Sequence, residues 1–412
     1  MEDGKGACAN LAKAAAALTV LSLLPVALSG SAPSHASAGL LPISWSGQQS
    51  GPIDAETPYS SLLFGSFAYD PAQGEARGTY VSFTYTELIG PFRSYVTTGA
   101  AASVQYIDSI DVGPFLPMRY PQLHGPTFYV EGLDVEIRAH DDPTGLLEIH
   151  TKAPRTVTIE LPASATNLSL RATELAWPGS WPASSVSYTI GEAHARFVLG
   201  AGSFAISGTR VIAQMASSDL LVFKAIPTSM PDKVEYWRAV LDAITAGQVV
   251  AEFDLVATSK GGWVENSARY RIDVAAWPQR VVPGKASVHL NSSASLGAFV
   301  LLAFDPDTMP ADATRALHVR ANGVDVNVTA ATIGLFYAPD SGTPAPAYAV
   351  LPLPGTVLAV YLPSLAPTSL EVESAVPAPP PITFGPDSAL ALTLALVLVA
   401  AAASFMFRRR GP

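Results

Sequence analysis

Apolar and polar residues alternate along much of the chain between residues 78 and 276. Because successive side chains of a strand point to opposite faces, this period of two predicts strands with one solvated face. The stretches rich in Val, Ile, Thr and Tyr are GTYVSFTYTEL (78–88), VEIRAH (135–140), LLEIHT (146–151), RTVTIELP (155–162), VVAEFDLVA (249–257) and ARYRIDVAA (268–276). With 35 prolines and 31 glycines punctuating the chain, they predict a mainly β fold of tandem antiparallel β-sandwich domains.

One hairpin can be predicted residue by residue around the turn DDPTG at 141–145. In that register Ile137 faces Ile149, and Ala139 faces Leu147, on the apolar side. A shift by one residue would turn every side chain to the other face, so the apolar pairs fix the register.

The polar side of the same hairpin carries opposite charges. Arg138 is expected to face Glu148, and Glu136 to face His150, on a solvated sheet surface, where such pairs select the register. The stretch also offers an alternative metal site, formed by His140, Asp141, Asp142, Glu148 and His150. The charge-pair interpretation is preferred because the spacing matches no closed set of metal ligands.

A single amphipathic helix is predicted from about Pro231 to Ala246. Ser229 and Pro231 suit its start, and Gly247 suits its end. The apolar stripe at helical spacing consists of Val234, Trp237, Val240, Leu241 and Ile244. Such a stripe predicts a short helix packed as a cover against a sheet.

The C-terminal end changes character. Residues 389–407 are 19 positions without a charge, and at about 1.5 Å per residue a helix of this length crosses the hydrocarbon of a bilayer. Arg408 to Arg410 follow directly, and the positive-inside rule predicts a cytoplasmic basic tail at 408–412. The proline-rich residues 375–388 predict an extended stalk between the β domains and this transmembrane helix.

The N-terminal end predicts export. Residues 14–28 are apolar and follow Lys5 and Lys13, which is typical of a signal peptide spanning 1–38. Small residues predict cleavage between Ala38 and Gly39. An uncleaved N-terminal anchor is the alternative.

The composition of the exported part argues against cysteine chemistry and against nucleic-acid binding. The single cysteine, Cys8, precedes the cleavage site, so the mature chain would have no disulfide, thiolate metal site or cysteine nucleophile. Between the two hydrophobic ends, 19 Lys and Arg stand against 32 Asp and Glu, a net charge of −13. The lack of a basic stripe argues against nucleic acid as a partner.

The exported part is long enough for two or three domains. We expect a β-rich ectodomain at 39–277 and a membrane-proximal β-sandwich domain at 285–374, separated near 278–284. The tripeptide AWP at 176–178 recurs at 276–278. If this recurrence marks an internal repeat, the β-rich ectodomain at 39–277 divides into two modules near 176.

The order of signal, β-rich region, stalk, apolar helix and arginines resembles archaeal and bacterial cell-surface proteins anchored by their C-termini. ALHVRANGVDVNV (316–328) and YAVLPLPGTVLAVYLPSLAPTSLEV (348–372) are similar to the membrane-proximal β-domain of archaeal surface proteins. The resemblance implies a single-pass protein in the cell membrane with its N-terminal part outside. A retained anchor is the first interpretation, and enzymatic removal of the tail is the alternative.

No catalytic motif is present. The chain lacks G-x-S-x-G, H-E-x-x-H and Walker A patterns, so we assign no catalytic residue and no cofactor. Two weaker candidates remain: Trp177 and Trp181 for stacking on a sugar, and Asp305, Asp307 and Asp312 for Ca²⁺. The sequons at Asn167, Asn291 and Asn327 are glycosylation candidates.

These features predict a non-enzymatic surface protein with a structural or adhesive role. Its partners would be membrane lipid through residues 389–407 and other envelope proteins or glycans. The competing interpretation is a surface-tethered ligand or glycan binder, or a glycan-active enzyme.

Overall fold

The computed structural model describes residues 60–375, apart from 87–89, 99–102, 173–183, 228–232, 259–261, 294–296, 311–316, 331–335 and 337–344. The predicted signal peptide with its cleavage site at Ala38 and Gly39, the transmembrane segment 389–407 and the basic tail lie outside the described residues. So do Trp177, Trp181 and Asp312, and all but the first residue of the predicted stalk. No helix among the described residues is both long and apolar enough to span a bilayer.

The described chain is mainly β, as predicted, with one α-helix. Its first sixteen strands are β1 (Ala68–Asp70), β2 (Glu75–Arg77), β3 (Val81–Thr86), β4 (Gly90–Thr98), β5 (Ser103–Asp111), β6 (Gln122–His124), β7 (Thr127–Glu131), β8 (Val135–His140), β9 (Leu147–Thr151), β10 (Arg155–Glu160), β11 (Ala165–Ala172), β12 (Ser184–Ile190), β13 (Ala193–Leu199), β14 (Ser203–Ser207), β15 (Arg210–Met215) and β16 (Leu220–Ala225). They form two eight-stranded sheets. Sheet I has the order β1-β2-β3-β4-β5-β10-β15-β14, and sheet II the order β11-β12-β13-β16-β9-β8-β7-β6.

Sheets I and II face each other across an apolar core. Aromatic rings fill its centre, where Phe83 of sheet I meets Phe128 of sheet II edge to face, with ring centroids 5.1 Å apart. Strand β3 alternates buried and half-buried residues. Its inward apolar residues therefore supply the core, as the period of two predicts.

The rest of the chain comprises a helix and two smaller sheets. The elements are α1 (Val234–Thr245), β17 (Val249–Ala257), β18 (Trp263–Arg269), β19 (Val274–Val282), β20 (Lys285–Ser292), β21 (Ala298–Phe304), β22 (Leu317–Ala321), β23 (Val324–Asp325), β24 (Asn327–Val328), β25 (Ala347–Leu351), β26 (Thr356–Leu362) and β27 (Thr368–Ser374). Sheet III has the order β18-β17-β21-β26-β25-β24, and sheet IV the order β19-β20-β27-β22-β23. Sheet III departs from the antiparallel expectation at two parallel pairs, β17 with β21 and β24 with β25.

A further apolar core joins the two pairs of sheets. It combines the outer face of sheet II, the helix and the outer face of sheet III, with Val222, Val240 and Leu301 as representatives. A third apolar core lies between sheets III and IV. Sheets II and III are thus covered on both faces, and β21 and β26 are buried at every position. The solvated face predicted for 249–257 is therefore wrong, because β17 lies inside this stack and only Glu252 is less than fully buried.

The predicted hairpin is confirmed in its register. Ile137 pairs with Ile149 and Ala139 with Leu147 between β8 and β9.

The single strand predicted at 268–276 is wrong. Strand β18 ends at Arg269, and after a turn through residues 270–273 the chain enters β19 in a different sheet.

The helix is confirmed as a cover between sheets. It runs from Val234 to Thr245, ends before Gly247 with a φ of 69°, and buries Val240, Leu241 and Ile244. Its predicted start at Ser229 and Pro231 lies outside the described residues. Lys233 occupies the N-cap position and makes no capping hydrogen bond through its side chain.

The segment 278–284, expected between two domains, lies in the hairpin of β19 and β20. Strands from both sides of it share sheet III, where β17 pairs with β21. The sheets divide the chain earlier, between β16 and the helix. The turn between β22 and β23 is formed by Asn322 and Gly323, with φ values of 52° and 80°.

Candidate functional site

Charged and amide side chains lie between sheets II and III, beside the apolar core. We call this group the buried polar layer; it comprises Glu136, Arg138, His140, Asp142, Glu148, His150, Lys224, Glu252, Asp254, Asn266 and Tyr270. Strands β8, β9 and β16, with the turn after β8, supply its sheet II side. Strands β17 and β18, with the residue after β18, supply its sheet III side. Its members come from segments more than 100 residues apart, so folding is needed to assemble them.

The predicted pairings across the hairpin are present, but they are not solvated. Arg138 lies opposite Glu148 and Glu136 opposite His150, as expected. The Glu148 side chain is fully buried and that of Arg138 is 11% exposed. The expectation of a solvated face is therefore wrong, because sheet III covers this side of the hairpin.

Arg138 has a closer partner than the one predicted. Its Nε donates to Glu136 Oε1 at 2.6 Å, whereas its Nη1 lies 3.9 Å from Glu148 Oε2. The stronger ion pair therefore runs along β8, between residues two apart, and not across the strands. Direct register selection by Arg138 and Glu148 is correspondingly weak.

The Glu148 carboxylate lies between two imidazoles, those of His140 and His150. Its Oε1 accepts the backbone N–H of Arg269 at 3.1 Å. Its Oε2 lies 3.5 Å from His140 Nε2 and 3.6 Å from His150 Nε2. Burial by itself raises the pKa of Glu148, but the two imidazoles outweigh it and hold the pKa well below its ordinary value. The carboxylate is thus ionised.

Asn266 fixes the orientation of His140. Its Oδ1 lies 2.5 Å from His140 Nδ1, while its Nδ2 donates to Asp142 Oδ2 and Asp254 Oδ2, both at 3.1 Å. Since Oδ1 can only accept, we assign a proton to Nδ1 of His140. Its Nε2 then faces the carboxylate of Glu148, 3.5 Å from Oε2.

The two aspartates of the turn also accept hydrogen bonds from backbone and hydroxyl groups. Asp141 accepts three amides, from Thr79 at 2.7 Å, Tyr80 at 2.7 Å and Val81 at 2.9 Å. Asp142 accepts both the N–H and the hydroxyl of Thr144. Their carboxylates hold the turn and bind the start of β3 to sheet II.

Among the described residues, no three His, Asp or Glu side chains are placed to hold a metal ion together. The metal alternative for His140, Asp141, Asp142, Glu148 and His150 therefore lacks geometric support. Asp305 is buried and its Oδ1 accepts the N–H of exposed Asp307 at 2.7 Å. This contact closes the turn after β21.

Lys224 anchors the other end of the buried polar layer. Its Nζ donates to Glu252 Oε2, and to Tyr270 Oη at 3.0 Å, and its side chain is 2% exposed. The ring of Trp237 lies 5.8 Å from the ammonium. Burial alone lowers the pKa of Lys224, but Glu252 and Asp142 raise it above the usual value. Lys224 is thus a buried cation held by a carboxylate and aromatic rings.

The pKa of Asp254 is strongly affected by its surroundings, including the neighbouring Glu252. Burial first, and then the charge of Glu252, raise the pKa of Asp254 well above its ordinary value. A carboxyl group with a raised pKa beside a second acidic side chain is an arrangement that general acid–base chemistry uses.

A cavity of about 40 Å³ adjoins these carboxylates. Its polar lining includes Asp142, Glu252 and Asp254, and Trp237, Leu301 and Val357 contribute apolar walls. This volume holds a few water molecules. We assign the surrounding carboxylates to holding sheets II and III together.

Sequence reasoning missed Lys224, Glu252, Asp254 and Asn266. The available signal was a charged residue inside an otherwise apolar strand: Lys224 in LLVFKA, and Glu252 and Asp254 in VVAEFDLVA. Charges almost never remain buried in such strands without a partner. Each of these charged residues therefore indicated a polar or oppositely charged partner from elsewhere in the fold.

The outer face of sheet IV carries a different constellation. Trp277 of β19 is 44% exposed, and its ring lies against His289 of β20, with centroids 4.5 Å apart.

The three glycosylation candidates differ in how exposed the asparagine is. Asn167 and Asn327 are exposed, whereas Asn291 is half-buried in β20.

No protein-family model matches this chain, and no curated protein matches it.

Proposed function

We propose that the protein is a single-pass, membrane-anchored extracellular protein whose tandem β-sandwiches serve a structural or adhesive role at the cell envelope. The N-terminal residues 1–38 act as its signal peptide, and residues 389–407 hold it in the membrane through lipid contacts. The stalk at 375–388 separates the β domains from the bilayer.

The observation that carries this proposal is the continuous stack of four sheets. The apolar core between sheets II and III contains residues of both, and the buried polar layer adds ion pairs between them. A stack of this kind resists bending, because its inner sheets are covered on both faces. Rigidity of this sort suits a spacer or a display platform.

An enzymatic role gains less support from the same region. The cavity beside Glu252 and Asp254 measures about 40 Å³, and each carboxylate already has a partner within the protein. Glycan binding without hydrolysis is the stronger alternative, because Trp277 lies exposed on a sheet face.

The experiment compares cells that make the full chain with cells that lack it. We expect the protein on the cell surface, a mature N-terminus at Gly39, and weaker attachment or a weaker envelope in the cells without it. A protein that begins at Met1 would contradict the signal peptide. Unchanged attachment and envelope strength would contradict the structural or adhesive role.

A further inference from the structure

Trp277 stands out among the tryptophans of the described residues. Trp237 and Trp263 are partly buried against apolar cores, whereas Trp277 exposes 44% of its surface. Its neighbours Ala276 and Pro278 turn toward the interior. The indole therefore lies on the outer face of sheet IV, where it contributes little to the core.

The indole is held in a fixed position. Trp277 pairs with His289 in the register of β19 and β20, and their rings lie at 37° to each other. His289 in turn pairs with Ser369 of β27. Side chains mounted on paired strands keep their spacing, so this aromatic surface is preorganised.

Hydrogen-bonding groups surround the aromatic surface. Gln279 occupies an irregularity in the pairing of β19 with β20, and its Oε1 accepts the Ser369 hydroxyl at 3.4 Å. The Gln279 side chain thus crosses β20 beside His289. Irregularities of this kind often redirect a side chain toward a binding site.

Charges on this face are largely balanced. Lys285 lies 3.9 Å from Glu371 and 3.5 Å from Glu373, and Arg320 pairs with Asp325 at 3.0 Å. Such pairs cancel each other's field beyond short range. The face therefore favours a neutral ligand over a strongly charged one.

We propose that Trp277, His289, Gln279 and Ser369 form a binding site for a neutral, extended polysaccharide. A pyranose ring with equatorial hydroxyls presents its C–H groups on one face, which stacks on the indole, while its hydroxyls reach the polar side chains at the rim. Trp277, His289 and Ser369 span two strand spacings of about 4.8 Å each. A row of this length accommodates about two sugar rings.

If the protein has the proposed adhesive role, this site identifies polysaccharide as its ligand class. The biological meaning of the site rests on that role, but the binding itself does not. Binding is measured on purified protein and is independent of the membrane topology. A negative binding result would leave the envelope location intact.

The test uses the full chain in detergent micelles and four insoluble probes: cellulose, xylan, mannan and chitin. We expect retention on at least one probe and release by the soluble oligosaccharide of the same sugar. Trp277→Ala should weaken binding about tenfold or more, as loss of a central aromatic contact does. Trp277→Phe should retain part of the affinity.

Tyr120→Ala is the matched control, because Tyr120 is an aromatic residue 86% exposed on another part of the surface. It should bind like the wild type, and all variants should keep the wild-type melting temperature. Absence of retention on all four probes would overturn the proposal. Equal binding by wild type and Trp277→Ala, or a dimer that dissociates in Trp277→Ala, would overturn it too.

Discussion

Replacing Lys224 with methionine removes the one ammonium of the buried polar layer and keeps most of the side-chain volume. In the folded protein Lys224 Nζ contacts Glu252, and Tyr270 Oη lies 3.0 Å away. The Glu252 side chain is only 12% exposed, so its charge would remain buried with one hydroxyl partner. Breaking a buried ion pair from one side commonly costs about 3–5 kcal/mol.

The assay is urea unfolding of the full chain in micelles, followed by tryptophan fluorescence, with Arg210→Met as the control. Arg210 pairs with Glu160 at 2.6 Å on the surface, where its side chain is 55% exposed, so its loss should cost about 1 kcal/mol or less.

The double variant Lys224→Met with Glu252→Gln should recover part of the loss, because it no longer buries an unpaired charge. A cost for Lys224→Met no larger than that of Arg210→Met would refute the view that this ion pair helps to hold sheets II and III together.

Three further predictions concern the hairpin of β8 and β9. Because the pKa of Glu148 is held well below its ordinary value of 4.5, its carboxylate stabilises the fold above that pH, and this stabilisation is lost as the pH falls through the folded pKa. Glu148→Gln should therefore flatten the fall in melting temperature below pH 4.5, and an unchanged fall in the variant would contradict the lowered pKa of Glu148. Asp141→Asn places an amide donor against backbone N–H groups and should cost about 2–4 kcal/mol in urea unfolding, and a cost below that of Arg210→Met would contradict the three-amide contact. EDTA should leave the melting temperature unchanged, and a fall of several degrees would restore the metal interpretation of His140, Glu148 and His150.

The hairpin shows what the sequence could predict. Alternating residues and a turn rich in Asp, Pro and Gly fixed the pairing of Ile137 with Ile149, because both signals are local. The burial of Arg138 and Glu148 was not predictable in the same way. Charged residues on one face of a strand ordinarily indicate solvent, and the sheet that covers them lies more than 100 residues away in sequence.

The prediction of one strand at 268–276 was wrong because the sequence carries no local signal for the turn inside it. The turn at residues 270–273 contains neither glycine nor proline, so the apolar alternation appeared to continue through it. A bidentate pair of Arg271 with Asp273, at 2.9 and 2.7 Å, supports the turn instead. Side-chain pairs of this kind leave no distinctive sequence signal.

The topology of the chain in intact cells tests the proposed membrane anchor. Protease added outside should digest the β domains and leave a small C-terminal fragment, containing residues 389–412, protected by the membrane. Detection of that fragment with an antibody against the C-terminus is the predicted result. Recovery of the whole protein in the soluble fraction, with its C-terminus intact, would contradict a membrane-anchored surface protein.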